Sequence, residues 1–173
     1  MLTNMEYQRQ KRVYQVVDPD TGEIDEFPSG TKGRQLALRR AVYFQDARLY
    51  NLVMQLIERY PLMESRAWRA STLVLNDAVN DVRDGAVLAT VTGNSEYGPY
   101  LIQSRQGLLT CECLDYVDGG APYLGSNGQR VCKHILAMQF KQRLQFRICG
   151  SCSQKVDEQL MTCPMCNGPV TPF

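Results

Sequence analysis

Cys111-Glu112-Cys113, then eighteen residues, then Cys132-Lys133-His134: the reading of the chain turns on this stretch. Two pairs of soft or borderline ligands, Cys-x-Cys and Cys-x-His, make a set of four. A zinc ion takes four such ligands tetrahedrally, and a site filled by protein ligands has no open position for chemistry. A second set follows at once, Cys149-x-x-Cys152, ten residues, then Cys163-x-x-Cys166. All seven cysteines and the only histidine are used, four ligands to each set. Disulfides would leave one of the seven cysteines unpaired, and no secretory signal pattern precedes them. Structural cysteines buried one by one would not fall into three close pairs plus a Cys-x-His. Two zinc ions per chain are therefore expected, one in each set.

The first set resembles the SWIM-type zinc finger, whose pattern is Cys-x-Cys, a variable loop, then Cys-x-His. The match runs from about Tyr100 to Phe140, through YLIQSRQGLLTCECLDY, the loop and VCKHILAMQF. An alternating hydrophobic stretch enters the first pair and a helical pattern leaves the second. The second set resembles a zinc ribbon over about Ile148 to Gly168, with CGSC and CPMC as its two knuckles. The resemblance does not reach the first ninety residues. It implies a ββα finger followed by a small ribbon. It also implies a role in DNA binding and protein contacts, often inside larger assemblies or mobile-element proteins.

A length of 173 residues suits one domain or two small ones. No apolar run approaches the roughly twenty residues that span a bilayer, so no membrane association is expected. Reduced cysteines imply a reducing compartment, the cytoplasm, or the nucleus of a eukaryote. Net charge is only +1, but it is unevenly distributed. Residues 1–29 carry three basic and six acidic groups, residues 30–84 nine and six, and residues 85–173 seven and six.

Met1 to Arg12 is polar and expected to fray. Val13 to Val17 is rich in β-branched residues and predicts a strand. Asp18 to Gly22 is turn chemistry, Glu23 to Phe27 returns as a second strand, and Pro28-Ser29-Gly30 closes the hairpin. Thr31 can cap a helix beginning near Arg34. Leu38, Val42, Leu49, Leu52, Val53, Leu56 and Tyr60 then recur at spacings that make one helical face, with Pro61 as its stop. Gln45 interrupts the stripe and marks a break near Phe44 to Asp46. A second helix is expected from about Glu64 to Val82, on the stripe Trp68, Thr72, Leu75, Val79 and Val82, giving an antiparallel helix pair. Ala86 to Thr92 predicts a strand, with turns at Gly93-Asn94 and Gly98-Pro99. Tyr100 to Gln103 and Leu108 to Cys113 predict a hairpin. It would put Cys111 and Cys113 on one face, because side chains two apart in a strand point the same way. The loop from Leu114 to Val131 holds four glycines and is expected to be mobile. Cys132 and His134 open a helix through about Gln145. The expected fold class is α+β in four regions: an N-terminal β-hairpin (1–30), a helical region (31–85), the SWIM-type finger (86–147) and the zinc ribbon (148–173).

No catalytic motif is present. There is no second histidine to act as a base, no paired carboxylate motif, no phosphate-cradling Gly-x-x-x-x-Gly-Lys and no serine elbow. A RING-type reading fails because such domains interleave their ligands, whereas these fall consecutively. A redox reading of Cys149-x-x-Cys152 fails because no thioredoxin-like βαβ pattern surrounds it. The chain reads as a non-enzymatic binding module without a small-molecule substrate. Two basic stretches point to nucleic acid, with DNA the expected form. Residues 130–147 hold Arg130, Lys133, Lys141, Arg143 and Arg147 and no acid; residues 30–48 hold Lys32, Arg34, Arg39, Arg40 and Arg48 against Asp46. Clustered cations contact phosphates and release counterions, and Tyr97, Tyr100, Tyr116 and Tyr123 could stack on bases. Against this, helix cations are usually solvated, and a free-standing nucleic-acid binder is usually more basic. The alternative is a protein–protein adaptor that uses the apolar helices and the zinc modules. Both roles suit an accessory subunit of a larger complex.

Overall fold

A computed structural model describes residues 4–93, 98–124, 128–149, 151–152, 154–157, 160, 162–168 and 170. The N-terminal region has three strands where two were expected. β1 (Met5–Gln8), β2 (Val13–Val17) and β3 (Ile24–Pro28) form an antiparallel meander in that order. The stretch expected to fray supplies β1, which pairs Met5 with Val16 and Tyr7 with Tyr14. The two tyrosine rings lie 4.9 Å apart across the strands, a cross-strand contact of the kind that fixes register.

Helix α1 (Thr31–Gln45) starts at Thr31 itself, with Gly30 in the cap position and no side-chain cap. Its fully buried residues are Gly33, Ala37, Ala41 and Val42. The first three are small and spaced four apart, so the helix backbone lies close to the meander. A Cβ on Gly33 would fall 1.7 Å from the Pro28 carbonyl oxygen. The expected interruption is real. The Asp46 N–H donates to Val42, while its carboxylate accepts from the Arg48 and Leu49 N–H groups and caps α2 (Ala47–Arg59).

After a 3₁₀ turn at Pro61–Met63, α3 runs from Glu64 to Leu75. It does not reach Val82. The Asp77 N–H donates to Val74 and the Ala78 N–H to Leu73, with Asp77 at φ +54°. This is the paired C-terminal closure that usually employs glycine. The chain leaves it extended, and Val79 is buried as the first residue of a strand. That strand, β4 (Val79–Asp84), begins an antiparallel meander continued by β5 (Val87–Thr92), β6 (Pro99–Arg105) and β7 (Leu108–Cys111).

The segment expected to be a mobile loop has its own short elements, α4 (Leu114–Val117), β8 (Tyr123–Leu124) and β9 (Gln129–Arg130). Tyr116 and Gln129 both bond the Leu109 carbonyl, tying the segment to β7. Next come α5 (Lys133–Leu144) and the two-stranded ladder of β10 (Phe146–Ile148) and β11 (Lys155–Asp157).

Helix α5 is the centre of the molecule. His134 through Met138 and Phe140 are buried, with apolar residues on every side, the pattern of an interior helix. It packs on α3 and α2 to one side and on all four strands of the β4–β7 sheet to the other. The expected antiparallel pair is thus three helices: α2 and α3 pack on α5, and α1 packs on α2 and α3 and bridges to the N-terminal meander. One core runs from Val16 through Val53, Trp68 and Ile102 to Phe140 and includes Cys111, Cys113 and Cys132. A separate small core holds Cys149, Val156, Cys163 and Val170. No helix among the described residues is long and apolar enough to cross a membrane.

Candidate functional site

The two ligand sets of the sequence converge into two clusters, each able to hold a metal ion. In the first, the ligand atoms of Cys111, Cys113, Cys132 and His134 lie within 4.8 Å of one another, and all four residues are buried. Cys111 ends β7, Cys113 and Cys132 immediately precede α4 and α5, and His134 lies in the first turn of α5. Cys111 and Cys113 do not share a strand face, because β7 stops at Cys111. The chain turns there, and the turn brings the second sulfur back beside the first.

Cys111 Sγ lies 3.8 Å from His134 Nδ1, so Nδ1 faces the sulfurs. Nε2 on the far side of the ring is buried without a hydrogen-bond partner among the described residues. Tyr100 stacks on this imidazole at 4.5 Å and 29°. Gly93 leaves room for both rings, since a Cβ there would meet Tyr100 Cε2 at 3.0 Å. The sheet, the tyrosine and the glycine together fix the ring that presents Nδ1.

The second cluster brings together Cys149, Cys152, Cys163 and Cys166, again within 4.8 Å. Cys149 Sγ lies 3.5 Å from Cys166 Sγ, and Cys152 Sγ 3.6 Å from Cys163 Sγ. A tetrahedron with metal–sulfur bonds of about 2.3 Å has edges near ~3.8 Å, whereas a disulfide would need about 2 Å. All seven cysteines are free, and the separations fit tetrahedral edges. Cys149 and Cys163 are fully buried and Cys166 is exposed.

Thiols this close cannot all ionise without a cation among them. The Cys111 and Cys132 thiols, donating to Cys113, hold it far below the usual thiol range. The same contact with Cys113 drives Cys111 far above it. Cys132 is drawn down by Cys111 but carried up to about 11 by Cys113 and by burial. In the second cluster, backbone N–H groups of Cys152 and Ser151 draw Cys149 down to about 6. Cys166 is drawn down by Gly168 yet pushed to about 12 by Cys152 and Cys149. A dication would displace the remaining protons and stabilise every thiolate at once.

The cations of the two basic stretches are dispersed. Lys32 and Arg34 are exposed on the first turn of α1. Arg39 pairs with Glu64 and lies over the Trp68 ring at 5.6 Å. Arg40 pairs with Asp25 at 2.6 Å and covers Phe44 at 4.2 Å. Arg130 lies over Tyr116 at 5.2 Å and Tyr123 at 5.7 Å. Lys133 is half-buried beside the first cluster, and Lys141 donates to the Val79 carbonyl at 2.5 Å. The side chain of Arg147 and the whole of Tyr97 lie outside the described structure. Tyr100 and Tyr116 are committed to His134 and to the Leu109 carbonyl.

Arg143 is different. It is exposed and lines a groove of about 810 Å³ between α2, α5 and the β10–β11 ladder. From α2 come Arg48, Asn51, Leu52 and Gln55, spaced to share one helical face. From α5 come Gln139, Gln142, Arg143 and Leu144, and Leu88, Phe146 and Lys155 complete the lining. Among the described lining residues, three cations and four carboxamides surround an apolar floor and none is a carboxylate. Arg48 Nη2 donates to the Leu144 carbonyl at 2.8 Å and fastens one wall to the other. Sequence reasoning did not single out the four carboxamides, Phe146 or Lys155. Their signal was the three- and four-residue spacing along each helix, which means nothing until α2 and α5 are known to face each other.

No protein-family model, curated protein or solved structure matches the chain.

Proposed function

We propose that the chain is a non-catalytic nucleic-acid-binding subunit stabilised by two structural zinc ions. It would work within a larger assembly and hold DNA through the groove between α2 and α5. The zinc assignment rests on the donor sets, Cys₃His and Cys₄. Each is already complete, and each has the soft-ligand chemistry that suits this ion. The order hairpin, Cys-x-Cys, intervening segment, then Cys-x-His opening a helix resembles a SWIM-type finger, and the compact Cys₄ unit behind it resembles a ribbon. Neither centre has a ligand to spare for chemistry, so both act as clamps. The first fixes the position of α5 against the sheet, and α5 carries half of the groove.

The observation that carries the nucleic-acid reading is the groove's charge. Arg48 comes from the first basic stretch of the sequence, Arg143 from the second and Lys155 from the ribbon, and all three line it. Cations gathered on a concave surface can contact phosphates. The test is fluorescence anisotropy of the zinc-loaded full chain with labelled 20-nucleotide DNA and RNA, single- and double-stranded, across salt concentrations. Three phosphate contacts give a slope of log K against log salt of about −2 to −3. Arg143→Glu with Lys155→Glu, both exposed, should weaken binding at least about tenfold and flatten that slope. Salt-independent binding, or unchanged affinity in the double variant, rejects the reading. Recovery of a protein partner through this face with no nucleic acid would favour the adaptor role instead.

A further inference from the structure

We infer that Tyr100 is a positioning residue for the first metal centre: its ring clamps the His134 imidazole with Nδ1 toward the sulfurs, and this stack sets how long the centre keeps its ion. This rests on the zinc reading above and is independent of the nucleic-acid reading. A metal-binding histidine is normally oriented by a hydrogen bond from its second ring nitrogen to a carboxylate, a carbonyl or water. His134 lacks that restraint. It is 2% exposed, and its Nε2 is buried with no hydrogen-bond partner among the described residues. A different contact has to hold the ring.

Tyr100 supplies it. The two rings stack with centroids 4.5 Å apart and planes inclined by 29°. Helix α5 carries the imidazole, whereas β6 carries the tyrosine, which pairs with Val91 of β5. The stack therefore ties a ligand on the helix to the backbone of the sheet. A half-turn of the imidazole about its Cβ–Cγ bond would put a carbon where Nδ1 now lies 3.8 Å from Cys111 Sγ. That half-turn passes through an upright ring, which the flat face of Tyr100 blocks. Gly93 keeps the tyrosine in place, since a Cβ there would lie 3.0 Å from Tyr100 Cε2 and 3.8 Å from His134 Nε2. An added methyl would press the tyrosine out of the stack.

The chain has a single histidine, so the imidazole nitrogens of the zinc-loaded, isotope-labelled full chain can be read by NMR without ambiguity. Nδ1 should carry the metal and Nε2 the proton. Zinc release to a chromophoric chelator then measures retention, with the Cys₄ centre as internal control. Tyr100→Leu keeps an apolar side chain and removes the flat face. It should speed release from the first centre at least about tenfold, the lower end of what outer partners of a metal ligand contribute, and leave the second centre unchanged. Tyr100→Phe keeps the ring and should release both ions as the natural chain does. Gly93→Ala should speed release from the first centre by a smaller factor. In the Tyr100→Leu background it should add nothing, because no ring is left to displace. That non-additivity separates positioning from general destabilisation, and the nitrogen spectrum of the natural chain needs no variant to fold. Metal on Nε2 overturns the inference, as does unchanged release in Tyr100→Leu or equal acceleration at both centres. A natural chain that binds no zinc overturns the zinc reading itself, whereas one that binds two ions and fails these tests overturns only the clamp.

Discussion

The Arg66 guanidinium forks across the Asp115 carboxylate, Nη2 to Oδ1 at 2.7 Å and Nε to Oδ2 at 3.2 Å. The same Nη2 donates to the Gly120 carbonyl at 2.8 Å. One side chain of α3 thus holds both ends of the turn that follows Cys113, the segment that joins the two halves of the first metal cluster. The pair is partly exposed, so its Coulombic contribution is modest, and the two-pronged geometry is what makes it count. Arg66→Ala should lower stability by about 1 kcal/mol, or about 2–4 °C in Tm for a chain of this size. Hydrogen exchange should rise at residues 114–121 and stay unchanged in β1–β3. An unchanged exchange pattern would show that the metal cluster alone orders this segment.

The two metal centres should fail differently. The first lies within the main core beside Ile102 and Ile135, while the second supplies two of the four residues of a small core. Cys166 is exposed, so a chelator reaches the second ion first. A chromophoric chelator should report two zinc equivalents released in two phases. Cys166→Ser should retain one equivalent and leave α5 and the β4–β7 sheet protected. Cys132→Ser should also retain one equivalent but lose protection across α3, α5 and the sheet. Structural zinc contributes on the order of 10–16 kcal/mol in small domains, more than the core around Cys132 can replace. Release in one phase, or a folded sheet in Cys132→Ser, contradicts this division.

The two cysteine-rich clusters were legible in the sequence because their chemistry does not depend on context: cysteine pairs at knuckle spacing have few other uses. The α1–α2 break was legible too, since Gln45 falls out of the apolar stripe; the Asp46 cap that fixes it emerged only with the structure. The end of α3 was misread because Val79 and Val82 continue the helical spacing of Trp68 and Leu75. In the structure Val79 is buried in a strand and Val82 is 43% exposed, and Asp77 makes a turn usually given to glycine. Helical and strand periods coincide often enough over a few residues that a stripe alone cannot locate a boundary. β1 was missed because its partner strand, not its own composition, stabilises it. The groove was hidden for the same reason. Asn51, Gln55, Gln139 and Gln142 are ordinary surface residues until α5 is inserted between α2 and the sheet.

Gly33 tests the close approach of α1 to the meander. In an exposed helix interior, glycine to alanine is stabilising by up to about 1 kcal/mol. Here the added methyl would lie 1.7 Å from the Pro28 carbonyl oxygen and 2.8 Å from its carbon. Both are backbone atoms and cannot rotate away. Gly33→Ala should therefore destabilise by about 1–3 kcal/mol, as overpacking does, and loosen β3. Lys32→Ala, one residue earlier and exposed, should be neutral. Denaturant midpoints of the two variants decide it, and a stabilised Gly33→Ala would mean that α1 stands further from β3.

Asp77 offers the opposite sign. At φ +54° it occupies the left-handed region, which costs a residue with a Cβ about 1–2 kcal/mol relative to glycine. Aspartate recovers part of this through local hydrogen bonding, and its carboxylate lies 3.8 Å from Lys141 Nζ. That carboxylate is 95% exposed, so the ion pair adds little. Asp77→Gly should stabilise the chain by about 0.5–1 kcal/mol, since the conformational relief exceeds both losses and the greater flexibility of glycine in the unfolded chain offsets only part of it. Asp77→Ala, with a Cβ and no polar group, should be destabilised relative to the natural residue. Thermal melts of the three proteins give the order Gly above Asp above Ala. If alanine matched glycine, the turn would not depend on this backbone conformation, and α3 would be free to extend toward Val79.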